Sequence, residues 1–403
     1  MAGTISRVLG TTMNAFLSGY AETFRRIFTD AGALLLMVGA IAIYSMFYPL
    51  PYVEQIVKES PVAVVDLDGT SMSRQLARWV DAHENLRVAL RTTQPRDADT
   101  AITTGAIDGY LVIPAGFRAD IMRGRKSVVV YGGDAARFLV LKQVLLGFAE
   151  TAGTLSAGVE VRRLEAGGKA REQALVLQGP VQARLHPLFN TREGYGSYLV
   201  PAVFVLILQQ TLVLGIGLLL GTSRGGASHV GTSRTGTSGT MMGFAGNCAA
   251  YVTLYVAHAA FFFGFCFWLF DVPRYGNLST LALFLVPFLL ASVLFAHVLG
   301  GFCRERESSV QALLFTSIPF LFLAGFAWPL ELMPGPLRWL THVSPATAGI
   351  QGFLRLNQMG ARFADVAHWW WTLWILCALY AWPAWRAWQR ATGNESRATP
   401  AGS

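Results

Sequence analysis

The chain has 403 residues, of which 53% are hydrophobic and only 14% charged, and its mean hydropathy is +0.42. A soluble domain carries roughly 25% charged residues, so the ordinary soluble class is excluded. The net charge of +8 does not point to nucleic acid, because the surplus sits in short loops and the charge-rich stretch between Glu54 and Glu193 is nearly balanced. Cys248, Cys266, Cys303 and Cys377 lie in or beside apolar runs without CxxC spacing, so neither a disulfide framework nor a metal site is expected.

Residues 1–30 are expected to form a cytoplasmic interfacial helix. Met13, Phe16, Leu17, Tyr20, Phe24 and Ile27 recur at spacings of one, three and four, with Asn14, Ser18, Glu22, Arg25 and Arg26 on the other face. A soluble helix packed on a partner is the other reading. Residues 31–50 then suffice to cross a hydrocarbon core about 30 Å thick. The outer end of this run offers no small-x-small cleavage site, so it reads as an uncleaved anchor.

From 51 to 196 the period changes. Runs at 62–67, 88–90, 110–113 and 128–131 read as strands, and 72–82, 97–105 and 117–123 as helices, which predicts a small parallel or mixed α/β sheet. Phe138, Leu141, Leu145, Phe148, Ala152, Leu155 and Val159 follow at three-four spacing and predict the seam of a long helix. The sheet, a second helix over 170–184 and a second copy of the chain are its candidate partners.

One motif in this region looks like the first motif of haloacid-dehalogenase-type phosphatases: Val64, Val65, Asp66, Leu67, Asp68, Gly69 and Thr70 after a strand. Lys126 or Lys142 and Asp134 are available for the remaining roles. No acidic pair follows Asp134 at the spacing needed to hold Mg²⁺, however, and no cap domain fits the remaining length. The competing reading is a strand-turn-helix junction in which Asp68, Thr70 or Ser71 caps the helix.

Five further spans are expected within 197–390, at 197–221, 246–270, 278–302, 308–330 and 369–385, before a cytoplasmic tail over 391–403. None of the six spans contains Asp, Glu, Lys or Arg, each of which would cost roughly 2.5 to 3.5 kcal/mol at mid-span. The expected fold is therefore a polytopic α-helical membrane protein with six transmembrane helices and an α/β extracytoplasmic domain between helices 1 and 2. Ten loop arginines on one side (Arg7, Arg25, Arg26, Arg224, Arg234, Arg304, Arg306, Arg386, Arg390, Arg397) against four on the other (Arg274, Arg338, Arg355, Arg362) place both termini in the cytoplasm.

No GxxxxGK[ST] motif is present and no span holds an acid to relay protons, so the energy for any transport would come from another polypeptide. Two cytoplasmic loops are candidate receivers. One is the Gly/Ser/Thr-rich segment 222–243 with Arg224 and Arg234; the other is the charged group Arg304, Glu305, Arg306 and Glu307. Gln209, Gln210, His258 and His297 are the polar candidates inside spans, and they either bond neighbouring helices or line a substrate path. Ser344 before Pro345 suits the start of a short amphipathic or re-entrant helix over 344–356.

The order of parts resembles the membrane subunits of type-two ABC exporters. The resemblance is carried by Tyr44 to Tyr52 at the first boundary and by Pro61 to Asp68 opening the insert. It continues through Tyr198, Pro201 and Gln209-Gln210, Arg304 to Glu307, Leu314 to Ser317, Gly325 to Glu331, and Ser344-Pro345. It implies a permease in the bacterial inner (cytoplasmic) membrane, multi-pass among membrane lipid, forming a homodimer or pairing with a related permease subunit. A cytoplasmic ABC ATPase subunit would carry the ATP, leaving this chain with no cofactor of its own and no catalytic or nucleic-acid role. The implied coupling surface joins Arg304, Glu305, Arg306 and Glu307 with Arg25 and Arg26 of the interfacial helix, and a periplasmic adaptor is a further candidate partner. The segment from Thr222 departs from the family pattern, where a more ordered, charged stretch is expected. A rival class, a membrane-anchored sensor or assembly protein whose inserted domain binds an envelope partner, is motivated by the apolar seam from Phe138 to Val159.

Overall fold

The computed structural model describes residues 2–53, 57–179, 188–190, 194–224, 240–302 and 306–398. In chain order the elements are α1 (Ala2–Thr29), α2 (Ala31–Tyr52), β1 (Ser60–Asp66), α3 (Ser71–Asp81), β2 (Leu86–Thr92), α4 (Pro95–Thr103), β3 (Gly109–Ile113), α5 (Phe117–Met122) and β4 (Val130–Gly133). There follow α6 (Phe138–Ala166), α7 (Arg171–Gln178), α8 (Tyr195–Arg224), α9 (Met241–Leu269), α10 (Leu278–Phe302), α11 (Arg306–Leu323), α12 (Gly335–Thr341), α13 (Pro345–Met359) and α14 (Phe363–Ala398). These elements form two compact units, residues 1–55 with 187–403 and residues 56–186.

In the helical unit α8 is the hub. Its most apolar stretch is 94% buried, against 28% for α2 and 33% for α9, and α10, α11, α13, α14 and α2 all pack on it. A polar side chain on α8 therefore meets protein, whereas Ile43 and Phe47 of α2 and Phe265 and Trp268 of α9 point outward as apolar surface. Lipid tails are as apolar as leucine, so helices in lipid associate through close packing and interhelical hydrogen bonds. Gly349 and Gly352 of α13 accordingly lie directly on the rings of Phe288 and Phe284 of α10. Pro287 within α10 has no N–H to offer the Leu283 carbonyl one turn back, and Trp370 of α14 supplies the missing donor at 3.2 Å.

α13 starts where the sequence places it: Ser344 Oγ accepts the Ala346 N–H and Pro345 occupies the first helical position. Its 15 residues span about 22 Å, short of a bilayer core. At its start Ser344 touches Gln209, the middle of α8, and at its end the Asn357 carbonyl accepts the Tyr275 N–H from the α9–α10 connection at 2.8 Å. α11 ends at Leu323, short of the expected 330, and the chain turns beyond it through Gly325 at φ +80°.

In the α/β unit the strand order is β2-β1-β3-β4, with β1 parallel to β2 and β3 and β4 antiparallel to β3. β1 is apolar on both faces because both are covered. Val62 and Val64 pack with Leu76 and Val80 of α3 and with Val144, Phe148 and Leu155 of α6, whereas Ala63 and Val65 pack with Ala98 of α4 and Ile107. Arg137, just before α6, bridges Asp108 at 2.5 Å and Asp134 at 3.0 Å and so fixes the start of α6 beside β3.

Five helices among the described residues are long and apolar enough to cross a membrane: α2, α6, α8, α9 and α10. Four coincide with expected spans, while the expected spans at 308–330 and 369–385 fall on α11 and α14, outside the five. α6 qualifies on composition although it packs on the sheet. Of its expected seam Phe148 and Leu155 are buried and Val159 packs beside them, while Phe138 is 72% exposed. Val144 and Thr151 are buried as well, and Gly147 lies so close to β2 that a Cβ there would approach the Leu86 side chain to 2.9 Å. Of the expected helix over 170–184, α7 accounts for residues to Gln178, and 180–184 lie outside the described residues.

Candidate functional site

α1 crosses α9 with backbones almost touching. A Cβ at Gly246 would collide with the Phe16 carbonyl and approach the Tyr20 nitrogen to 2.9 Å, and one at Gly19 would collide with the Gly243 backbone. The crossing brings Thr23 against Asn247. The Asn247 amide donates to Thr23 Oγ1 at 2.7 Å, and the Thr23 hydroxyl donates onward to the Gly19 carbonyl at 2.7 Å. Asn247 Oδ1 lies 3.0 Å from Nε2 of His297 on α10, and His297 Nδ1 donates to the Val293 carbonyl at 2.8 Å. Thr23, Asn247 and His297 are all buried, and the Phe244 ring stands edge-on to the imidazole. One polar chain thus ties the first helix to two helices of the bundle. Sequence reasoning had singled out only His297 of the three. Asn247 and Thr23 were visible as polar residues interrupting apolar faces, but nothing along the chain pairs positions so far apart.

The amphipathic character expected of α1 is divided between two environments. Ile27 and Ala15 are buried in the unit, while Met13, Leu17 and Phe28 are more than half exposed. Arg25 donates to Glu22 from Nε at 2.9 Å and from Nη2 at 2.7 Å, and Arg26 adds a third bond at 2.9 Å. Partial burial alone would raise the Glu22 carboxyl. Hydrogen bonds from Arg25 and Arg26 outweigh it and hold the carboxyl below the usual carboxylate range.

The remaining residues singled out in sequence are dispersed. Gln209 is fully buried; its amide donates to Ser344 Oγ at 3.0 Å, while its Oε1 has no hydrogen-bond partner among the described residues. Gln210 beside it is partly exposed. His258 sits edge-on to Tyr255 at 5.1 Å, and the Tyr255 hydroxyl donates to Thr211 of α8 at 2.9 Å. Gln209, His258 and His297 therefore each make their contacts at a different helix junction. Arg304 and Glu305 lie outside the described residues, as does 225–239 of the Gly/Ser/Thr-rich segment, and 399–403 of the tail. Arg306 and Glu307 begin α11, with their side chains outside the description.

In the α/β unit the phosphatase-like motif is occupied in holding its own turn. Asp66 Oδ1 accepts the N–H groups of Asp68 and Gly69 at 3.0 and 2.9 Å, and Oδ2 accepts the Ser73 hydroxyl at 2.8 Å. Thr70 caps α3 in a reciprocal box with Ser73, and the Thr70 hydroxyl donates to Asp68. No group of three or more His, Cys, Asp or Glu able to hold a metal occurs among the described residues.

Helices are thus joined at buried polar points around α8, and a separate α/β unit is inserted after the first apolar helix. No curated protein matches the chain. The profile of the family described as ABC-2 family transporter protein matches residues 32–386, from the first apolar helix into the last helix, and the chain therefore belongs to the ABC-2 transporter family, as a membrane permease.

Proposed function

We propose that the chain is the permease subunit of an ATP-driven exporter, energised by a separate cytoplasmic ABC ATPase and working as a homodimer or with a related permease. In this reading α2, α8, α9, α10, α11 and α14 cross the bacterial inner membrane with both termini in the cytoplasm. α12 and α13 enter from the outer side and return, and the α/β unit lies outside, where a periplasmic adaptor has access to it. ATP is held by the partner, and this chain supplies no cofactor site.

The observation that carries the reading is the junction of α1 with α9 and α10. A helix lying along the membrane surface receives a push from the cytoplasm only if it is rigidly joined to the spans. The Gly246 crossing and the Thr23–Asn247–His297 chain supply that joint. Within this reading Arg304, Glu305, Arg306 and Glu307, with Arg25 and Arg26, form the docking side.

The test is co-expression with a candidate ABC ATPase, sought first in the adjacent reading frames, followed by reconstitution into liposomes. The expected result is co-purification and ATPase activity that depends on both chains. ATP hydrolysis by this chain alone would overturn the reading.

A further inference from the structure

The α/β unit contains a cavity of about 720 Å³ bounded by α3, α5, α6 and the run from Gly124 to Val129, with Gln178 of α7 at its edge. That volume is in the range of small-molecule sites, about 300 to 1,000 Å³. Its origin is readable in α6. Past Phe148, whose ring fills the space beside the sheet, this face of the helix presents Gly153, Ser156 and Ala157, which are too small to reach across to α5. A Cβ at Gly153 would meet nothing within 4 Å.

The lining has two characters. Leu76, Phe117, Leu155 and Val159 form an apolar floor, of which Leu76, Phe117 and Leu155 are buried. Arg125, Lys126 and Arg163 stand at the rim against one acid, Glu160. Glu160 already pairs with Arg163 at 3.6 Å, Arg125 pairs with Asp120 at 3.3 Å, and Lys126 has no ion pair among the described residues. An apolar ligand without charge would leave this cationic rim unused, and a compact inorganic anion would leave the floor unfilled.

We infer that this cavity is a binding site for an anionic amphiphile, an apolar chain seated on Leu76, Phe117 and Leu155 with its carboxylate or phosphate head at Lys126 and Arg125. The site is a property of the α/β unit and stands without the transport reading, since its occupancy needs no ATPase.

The test uses the full chain in phosphatidylcholine nanodiscs and a palmitate carrying a diazirine on its chain, with cross-links mapped by peptide mass spectrometry. Labelling is expected within 117–129 and 152–163, displaced at least tenfold better by palmitate or lysophosphatidate than by palmityl alcohol. The more effective of the two anions identifies the head group. Gly153→Phe fills open space and should cut this labelling at least fivefold with an unchanged melting temperature; Ser156→Leu serves if that variant fails to fold. Lys126→Glu with Arg125→Glu should abolish the preference for palmitate over the alcohol. Labelling confined to the helical unit, indifference to Gly153→Phe or Ser156→Leu, equal displacement by the alcohol, or displacement by an acidic peptide in place of palmitate would each overturn the assignment. None of these outcomes bears on co-purification with an ATPase.

Discussion

Asn247 donates its side-chain amide to Thr23 Oγ1 at 2.7 Å, joining residues 224 positions apart and α1 to the bundle. Interhelical hydrogen bonds in lipid average about 0.6 kcal/mol and reach about 1.7 kcal/mol. Their loss alone should therefore leave a folded protein. On the proposed function the expected consequence is mechanical: Asn247→Leu or Thr23→Val should lower melting temperature only slightly, while the proposed ATP-coupled transport falls at least tenfold. The double variant should lose no more transport than either single one, because both substitutions cut the same link. Additive losses in reconstituted vesicles would show that the two residues act separately.

The close crossing of α1 and α9 makes a sharper prediction about stability. Gly246→Ala must push α1 away, because the new Cβ collides with the Phe16 carbonyl, which is backbone and cannot rotate aside. Gly264 lies further along the same helix, and a Cβ there meets nothing within 4 Å. Overpacking in a close-packed site costs about 1 to 3 kcal/mol. Thermal unfolding in detergent should therefore place Gly246→Ala several degrees below the parent chain and leave Gly264→Ala beside it. Equal behaviour of the two variants would mean that the crossing is not rigid.

Much of this fold was legible from the chain, and the failures are instructive. Strand and helix periods separated the inserted unit because β1 must be apolar on both faces and α3 on only one. Ser344 and Pro345 announced α13 because capping is a local matter of hydrogen bonds within three residues. The full buried stripe of α6 was not legible. Its apolar residues are dense enough to allow several seams, and the burial of Val144 and Thr151 and the close approach of Gly147 to Leu86 exist only after folding. For the same reason His297 was visible and its partners were not: a polar residue in an apolar span is conspicuous, whereas the residue that satisfies it lies on another helix.

The ion pairs of α1 predict a pH dependence. The folded-state carboxyl of Glu22 lies below the usual carboxylate range, held there by Arg25 and Arg26 against the opposing effect of burial. A depressed carboxyl contributes stability that is present above about pH 4.5 and is lost as pH falls through the folded-state value. The gap in melting temperature between the parent chain and Glu22→Gln should thus be constant from neutral pH to about pH 5 and should close under more acid conditions. A gap that persists undiminished at pH 3 would assign the effect of the substitution to packing.

Asp66 gives the clearest separation of chemistry from architecture. A nucleophilic carboxylate needs a free oxygen facing its substrate, yet both Asp66 oxygens accept hydrogen bonds from the turn that follows, from Asp68, Gly69 and Ser73. The carboxylate there closes a strand-turn-helix junction, and its removal leaves two backbone N–H groups without their acceptor, while the Ser73 hydroxyl keeps the Thr70 carbonyl at 3.0 Å. Hydrogen bonds to charged groups contribute about 1.5 to 3 kcal/mol, and the turn is partly open to water, which can replace some of what is lost. Asp66→Ala should consequently destabilise the α/β unit by about 2 kcal/mol. Asp66→Asn keeps one oxygen for the Asp68 and Gly69 amides and should cost about half as much. Phosphate release from p-nitrophenyl phosphate should be at background for the parent chain and for both variants. Release by the parent chain that vanishes in Asp66→Asn at unchanged melting temperature would instead make Asp66 a nucleophile and restore the enzymatic reading of the motif.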